Sequence, residues 1–333
     1  MNRRDTVFGL LAFSATAGLS GARAQKQERM KRVGALMPFT DSDTQAQAHF
    51  KAFLEGLRQL GWTDGRDVQI DTRWSGGEIA RIRTSAKDLV ELKPDVIFCR
   101  ATPVTKALLQ ETRTIPIVFA SVSDPVGDGI LASLARPGGN VTGFTNVDAS
   151  LSGKWLQLLK EITPRLVRVG VLFSARMAAG GGSYYLPLVE GAAPSFDVTI
   201  VPIRVQDAAE IESAIVAFAR EPNGGVLVLP DVTTLTHRKL IISLTARNRL
   251  PAIYPNDFFT TDGGLISYGV NLDDLFRRAA SYVDRILRGQ NPSDLPVQSP
   301  TKFDLVINLG TAKALGMTIP NSVLRRADEV IRQ

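Results

Sequence analysis

The chain has 333 residues, 44% of them hydrophobic, and 39 Lys and Arg against 33 Asp and Glu leave a formal charge of +6. That length predicts about two domains, each able to bury a core, and the mild excess of positive charge, scattered over pairs such as Arg277-Arg278 and Arg325-Arg326 without interleaved aromatics, argues against nucleic acid as a partner. A single cysteine, Cys99, excludes an intramolecular disulfide, and its place in the apolar run Asp95-Val-Ile-Phe-Cys-Arg100 predicts a buried strand thiol.

Met1 to Ala24 carries the three zones of a cleavable export signal: Arg3-Arg4, an apolar run from Val7 to Leu19, and Ala22-Arg23-Ala24 as a small-x-small cleavage site. The apolar run is too short to span a bilayer, which takes about 20 residues. The arginine pair leaves Sec and Tat export both open. Removing Arg3, Arg4, Arg23 and Asp5 with the signal lowers the formal charge to +4, and the mature chain is expected in the periplasm. Cys99 lies far from the cleavage site, so a lipid-modified N-terminal cysteine is not expected. Later apolar runs, such as Gly225 to Leu229, are strand-length and stop at Pro or Asp.

Beyond the signal, short β-rich runs alternate with amphipathic segments, the pattern of a parallel sheet covered by helices. Strands are predicted at Arg32–Met37, Val68–Trp74, Asp95–Arg100 and Ile115–Ala120, with helices at Thr44–Leu60, Glu78–Leu92 and Val104–Thr112. A short helix over Ile130–Ala135 is expected to stop at Arg136-Pro-Gly-Gly139. A second series follows, with helices at Lys154–Ile162, Leu186–Ala193, Ala208–Arg220 and Thr236–Arg249. Its strands are Arg168–Phe173, Thr199–Val205, Gly225–Leu229, Ala252–Tyr254 and Leu265–Val270. Helix Leu272–Arg288, a polar turn-rich stretch to Pro296, strand Asp304–Leu309 and helix Ser322–Ile331 complete the chain. Two α/β units of similar size point to two lobes.

Ligands of open parallel sheets bind beyond the carboxyl ends of the strands. Polar groups follow apolar runs there at Phe39-Thr40, Ala101-Thr102-Pro103, Ser121-Val-Ser123-Asp124-Pro125 and Pro230-Asp231. Thr102-Pro103 reads as a helix start whose backbone N–H groups could face a carboxylate, or as an ordinary cap. Asp124 and Asp231 hold parallel places in the two halves, as partners for a ligand ammonium or as caps of the following turn or helix. Phe39, Tyr254 and Tyr268 could stack on a flat ligand or belong to core and rim.

Sharper signatures do not emerge. His49 and His237 are the only histidines and lack ligand partners at helical spacing, Gly180-Gly-Gly-Ser183 matches no phosphate-binding loop, and the Gly264-Leu-Ile-Ser-Tyr-Gly269 spacing is not that of a nucleophile elbow. No cofactor, metal or catalytic set is expected.

The stretches Ile115-Pro-Ile-Val-Phe-Ala-Ser-Val-Ser-Asp-Pro-Val-Gly127 and Ser133-Leu-Ala-Arg-Pro-Gly-Gly-Asn-Val-Thr-Gly143 closely resemble the ABC-transporter substrate-binding family that includes tryptophan- and tyrosine-binding members. So do Leu250-Pro-Ala-Ile-Tyr254, Gly263-Gly-Leu-Ile-Ser-Tyr-Gly269, Phe303-Asp-Leu-Val-Ile-Asn-Leu309 and Ala314-Leu-Gly-Met-Thr-Ile-Pro320. The resemblance implies an α/β type I periplasmic-binding-protein fold, two Rossmann-like lobes with a hinge and an interlobe ligand cleft. It also implies a monomer that takes a small-molecule ligand, an amino acid or related carboxylate, to an ABC permease in the inner membrane. The expected lobes are residues 31–146 plus about 270–295, and 147–269, with 296–333 unassigned. By the same resemblance Thr102 and its helix start hold a ligand carboxylate, Ser121, Ser123 and Asp124 line the first lobe, and Asp231, Tyr254 and Asp257 approach from the second. Ala175-Arg-Met-Ala-Ala-Gly-Gly-Gly-Ser183 departs from the family pattern, and Arg176 within it could meet a second carboxylate or face solvent. A periplasmic sensing component and an exported enzyme on the same scaffold are the rival readings.

Overall fold

The structure, a computed structural model, describes residues 29–148 and 150–332; the export signal expected over residues 1–24 lies outside the described residues. The first lobe is built from β1 (Lys31–Met37), α1 (Thr44–Gln59), β2 (Val68–Trp74), α2 (Ile79–Glu91), β3 (Val96–Arg100), α3 (Thr102–Glu111), β4 (Ile117–Val122) and β5 (Val141–Thr145). Its five strands lie parallel in the order β2-β1-β3-β4-β5. Every residue of β3 is buried because helices cover both faces of the sheet, which is why it reads as an unbroken apolar run. Asp43 starts α1 by accepting from the N–H groups of Gln45 and Ala46. Phe50, Phe53 and Leu57 then recur at helical spacing on the buried face, with Phe53 stacked on Phe98 of β3 at 3.9 Å between ring centroids.

The second lobe begins with α4 (Leu151–Ile162), β6 (Arg168–Ser174), α5 (Leu186–Ala192), β7 (Thr199–Val205), α6 (Ala208–Phe218) and β8 (Gly224–Val228). It continues through α7 (Val232–Thr236), α8 (Arg238–Arg247), β9 (Ala252–Tyr254), α9 (Asp257–Thr261) and β10 (Ile266–Val270). The chain then leaves it for α10 (Leu272–Leu287), which packs on α1 and on β3, β4 and β5 of the first lobe. Gly56 of α1 permits that contact: a Cβ there would lie 2.9 Å from the Cβ of Ala280. Finally β11 (Phe303–Asn308), α11 (Leu309–Ala314), α12 (Asn321–Leu324) and β12 (Glu329–Ile331) return to the second sheet, ordered β12-β11-β10-β9-β8-β6-β7. Its pairs are parallel except β10 with β11. The chain thus passes between lobes after β5, before α10 and before β11. No helix among the described residues is long and apolar enough to cross a membrane.

Three expected helices differ. Residues 130–135 are irregular rather than helical, because Pro125 O accepts from both Ile130 N and Leu131 N after the turn at 125–129 and folds the segment back. The expected helix 236–249 divides at His237 into α7 and α8, since Asp231 starts a separate helical turn with its own capping box. The expected helix 322–331 stops at Leu324, and the sheet edge captures the rest: Asp328 exchanges hydrogen bonds with Leu305, and β12 pairs with β11.

Candidate functional site: the cleft between the lobes

The loops after β1, β3 and β4 of the first lobe face those after β6, β8 and β9 of the second. Phe39, Ala101, Thr102, Ser121, Ser123 and Asp231, all expected from the sequence, line one crevice between them. Arg100, Asn146, Val232, Leu235 and Asn256 line it too and were not anticipated, and Met177 joins them from the 175–183 loop, which was expected to face the cleft. The crevice floor holds a cavity of about 20 Å³, and at the mouth, between α2, α3 and the loop at Arg176 to Gly181, the cavity is about 320 Å³. A water needs roughly 10–15 Å³ measured in this way, so the lobes meet closely at the floor.

Three polar contacts join the lobes around this crevice. Arg238 Nη1 of α8 donates to Asp43 Oδ2 at 2.7 Å, Tyr185 OH donates to Ser123 Oγ at 2.7 Å, and Gly180 N donates to Asp128 Oδ1 at 3.4 Å. Ser123 in turn donates to Asn146 Oδ1 at 3.0 Å, where the chain leaves the first lobe.

On the first-lobe wall the backbone is strained at two neighbouring strand ends. Ala101 has φ 74° and Ser121 φ 61°, a region L-residues rarely adopt. The N-cap of α3 is Ala101 rather than the expected Thr102, so no side chain caps that helix, and Pro103 occupies its first turn. The orphan N–H groups of the first turn remain available to an anion. On the opposite wall Asp231 accepts from Ser174 N at 2.8 Å and Thr234 N at 2.9 Å. Burial is the main influence on Asp231 and lifts its pKa to about 7, against backbone hydrogen bonds that favour the carboxylate.

The other expected site residues lie outside this lining. Asp124 folds onto its own turn and accepts from Gly127 N at 2.8 Å. Tyr254 is core: 1% exposed, stacked on Phe259, its hydroxyl 2.8 Å from that of Thr245. Asp257 accepts from its neighbour Phe258 N, and burial, with Asp304 and Asp273 nearby, pushes its pKa up. Tyr268 stacks on Phe303, and Thr40 bonds Ser42 beside a separate surface groove. Arg176 is exposed and borders the mouth. Cys99 is fully buried. No cluster that could hold a metal ion occurs among the described residues.

The family model described as ABC transporter substrate binding protein matches residues 37–331. A tyrosine-binding protein of Clostridioides difficile (strain R20291) is 27% identical over 268 residues, covering 80% of this chain and 76% of that one. Among solved structures, a conserved domain protein from Vibrio cholerae O1 biovar El Tor superposes with a TM-score of 0.85 at 29% identity, covering 91% of this chain and all of its own. An ABC domain from Streptococcus pneumoniae in complex with L-Trp superposes with a TM-score of 0.84 at 26% identity, with the same coverage.

Proposed function

The chain belongs to the ABC transporter substrate-binding proteins, and from that membership we propose that it is the exported binding component of an importer. It captures a small polar ligand, an amino acid or related carboxylate, between its lobes and delivers it to a permease in the inner membrane. The observation that carries this reading is the crevice itself. Both lobes contribute to one lining that sets the N-terminus of α3, uncapped by any side chain, across from the Asp231 wall, with Phe39, Met177 and Leu235 supplying apolar surface. An α-amino acid presents those three chemistries together, and the tyrosine-binding and L-Trp-bound relatives favour a member with an aromatic side chain. A helix terminus contributes about 0.3–1 kcal/mol, up to about 2 when partly buried, against about 8 for micromolar affinity, so all walls must act together. At the floor, where room is so limited, the lobes must part to admit a ligand and close over it, a hinge motion for which the interlobe passages are suited.

The purified chain, screened by thermal shift and then calorimetry against the amino acids and small carboxylates, is expected to show saturable, one-to-one stabilisation with the ligand recovered intact. Chemical conversion of the ligand, or no stabilisation by any of them, sinks the proposal.

A further inference from the structure

Two arginines are buried among the described residues, and they are treated very differently. Arg238 bridges two carboxylates, Asp43 at 2.7 Å and Asp262 at 2.8 Å. Arg100, only 2% exposed, has none: its hydrogen-bond partner is His49, with Nη1 3.2 Å from the imidazole Nδ1. Burial and the charges of Arg100 and Arg238 hold that imidazole neutral, so it cannot balance the guanidinium. Phe39 and Phe276 flank the group, with ring centroids 4.7 and 5.4 Å from its Cζ. Asp43 attracts it through space, yet Asp43 is committed to Arg238 and to the start of α1. A buried charge without a paired opposite charge is strongly unfavourable, and natural folds keep one where something else compensates.

Position shows what that is. Arg100 ends β3 and lines the cleft with Ala101 and Thr102, where α3 begins without a side-chain cap and Ala101 is held at positive φ. Arg100, the uncapped first turn of α3 and the strained Ala101 thus border one crevice, and a guanidinium and orphan N–H groups both favour an anion.

We propose that Arg100 sets the charge class of the ligand: the cleft takes an organic anion whose carboxylate lies between the Arg100 guanidinium and the first turn of α3. This rests on the cleft being the ligand site. His49 and the two phenyl rings fix the guanidinium plane, so a planar carboxylate meets a preset fork that lysine cannot reproduce.

The test titrates the wild-type chain with the twenty amino acids, then with the carboxamide and the deaminated acid of whichever binds. The carboxamide is expected to lose at least a hundredfold, and the deaminated acid, which gives up only the contact with Asp231, no more than about tenfold. Arg100→Met should lose at least a hundredfold for the acid and no longer distinguish acid from amide, and Arg100→Lys, which keeps the charge, should lose at least tenfold. Wild-type affinity for the acid in either variant overturns the proposal. A second measurement separates it from the capture reading, which falls if no amino acid or small carboxylate binds the wild type. Without ligand, Arg100→Met is expected to melt higher than wild type, because a buried cation has been replaced by an apolar chain of similar length. An equal or lower melting temperature, or failure to fold, assigns the guanidinium to the fold and ends the proposal.

Discussion

Arg238 Nη1 meets Asp43 Oδ2 at 2.7 Å across the cleft, while Arg238 Nε keeps Asp262 at 2.8 Å within its own lobe. The arginine is therefore anchored on one side and latches on the other. Asp43→Asn retains a good N-cap for α1 but removes the charge that Arg238 grips across the cleft. We expect ligand affinity to fall about tenfold, equivalent to about 1.4 kcal/mol of closure free energy, with little change in the melting temperature of the ligand-free chain. Calorimetry and melting curves on the variant check this; unaltered affinity would remove the latch from the closing motion.

Tyr185 is fully buried, and its hydroxyl crosses to Ser123, which bonds Asn146. Tyr185→Phe deletes only the crossing bond and leaves Ser123 with Asn146. The expected loss is about 1 kcal/mol, roughly fivefold in affinity, appearing mainly as faster ligand release in stopped-flow traces. A slower association with unchanged release would contradict it.

Asp231 makes stability depend on pH. Unfolded, its carboxyl titrates near about 4, whereas burial raises it to about 7 in the fold. Between those values the folded chain holds the extra proton, so this group's contribution declines as pH rises through the window, by up to about 1.4 kcal/mol per pH unit, and levels off above pH 7. His49 acts with the opposite sign: buried and neutral, with its pKa held well below 6.5, it disfavours the fold as pH falls below that value. The diagnostic is thus the difference between wild type and Asp231→Asn in denaturant titrations across pH 4 to 8, where only the Asp231 slope should vanish. A ligand ammonium beside Asp231 favours its ionised form, so binding near pH 7 should release protons, read by calorimetry in buffers of different ionisation enthalpy.

Cys99 lies inside β3 with Sγ 3.4 Å from Thr105 Oγ1, and burial pushes its pKa up to about 12. Native protein should react with a chromogenic disulfide reagent only as fast as β3 opens, and at once in denaturant. Rapid labelling of the native chain would show that the first sheet is open on that face.

Much of the architecture was legible because strands buried on both faces read as apolar runs, as Val96 to Arg100 and Gly224 to Val228 do. Glu329–Ile331 was not: it is a strand only because β11 offers an edge and Asp328 fastens it there, a tertiary effect that overrides local pattern. The rule that ligands gather beyond strand ends led to Phe39, Ala101, Thr102, Ser121, Ser123 and Asp231, which line one crevice. It could not tell which way a side chain turns once the strand stops. Asp124, beside Ser123, bends back to Gly127, and Tyr254 points into the core toward Thr245. Arg100 escaped notice because a charged residue closing an apolar run looks solvent-facing; its burial depends on Phe276, carried by α10 from far along the chain.

That same α10 sits between β10 and β11 in sequence yet covers the first sheet. A ribosome that has released everything up to Thr145 has produced all five strands of that sheet, but not the helix that shields one of its faces. Until Leu287 is made, that face lacks α10 over β3, β4 and β5, so the first lobe completes its core only after most of the second has been synthesised.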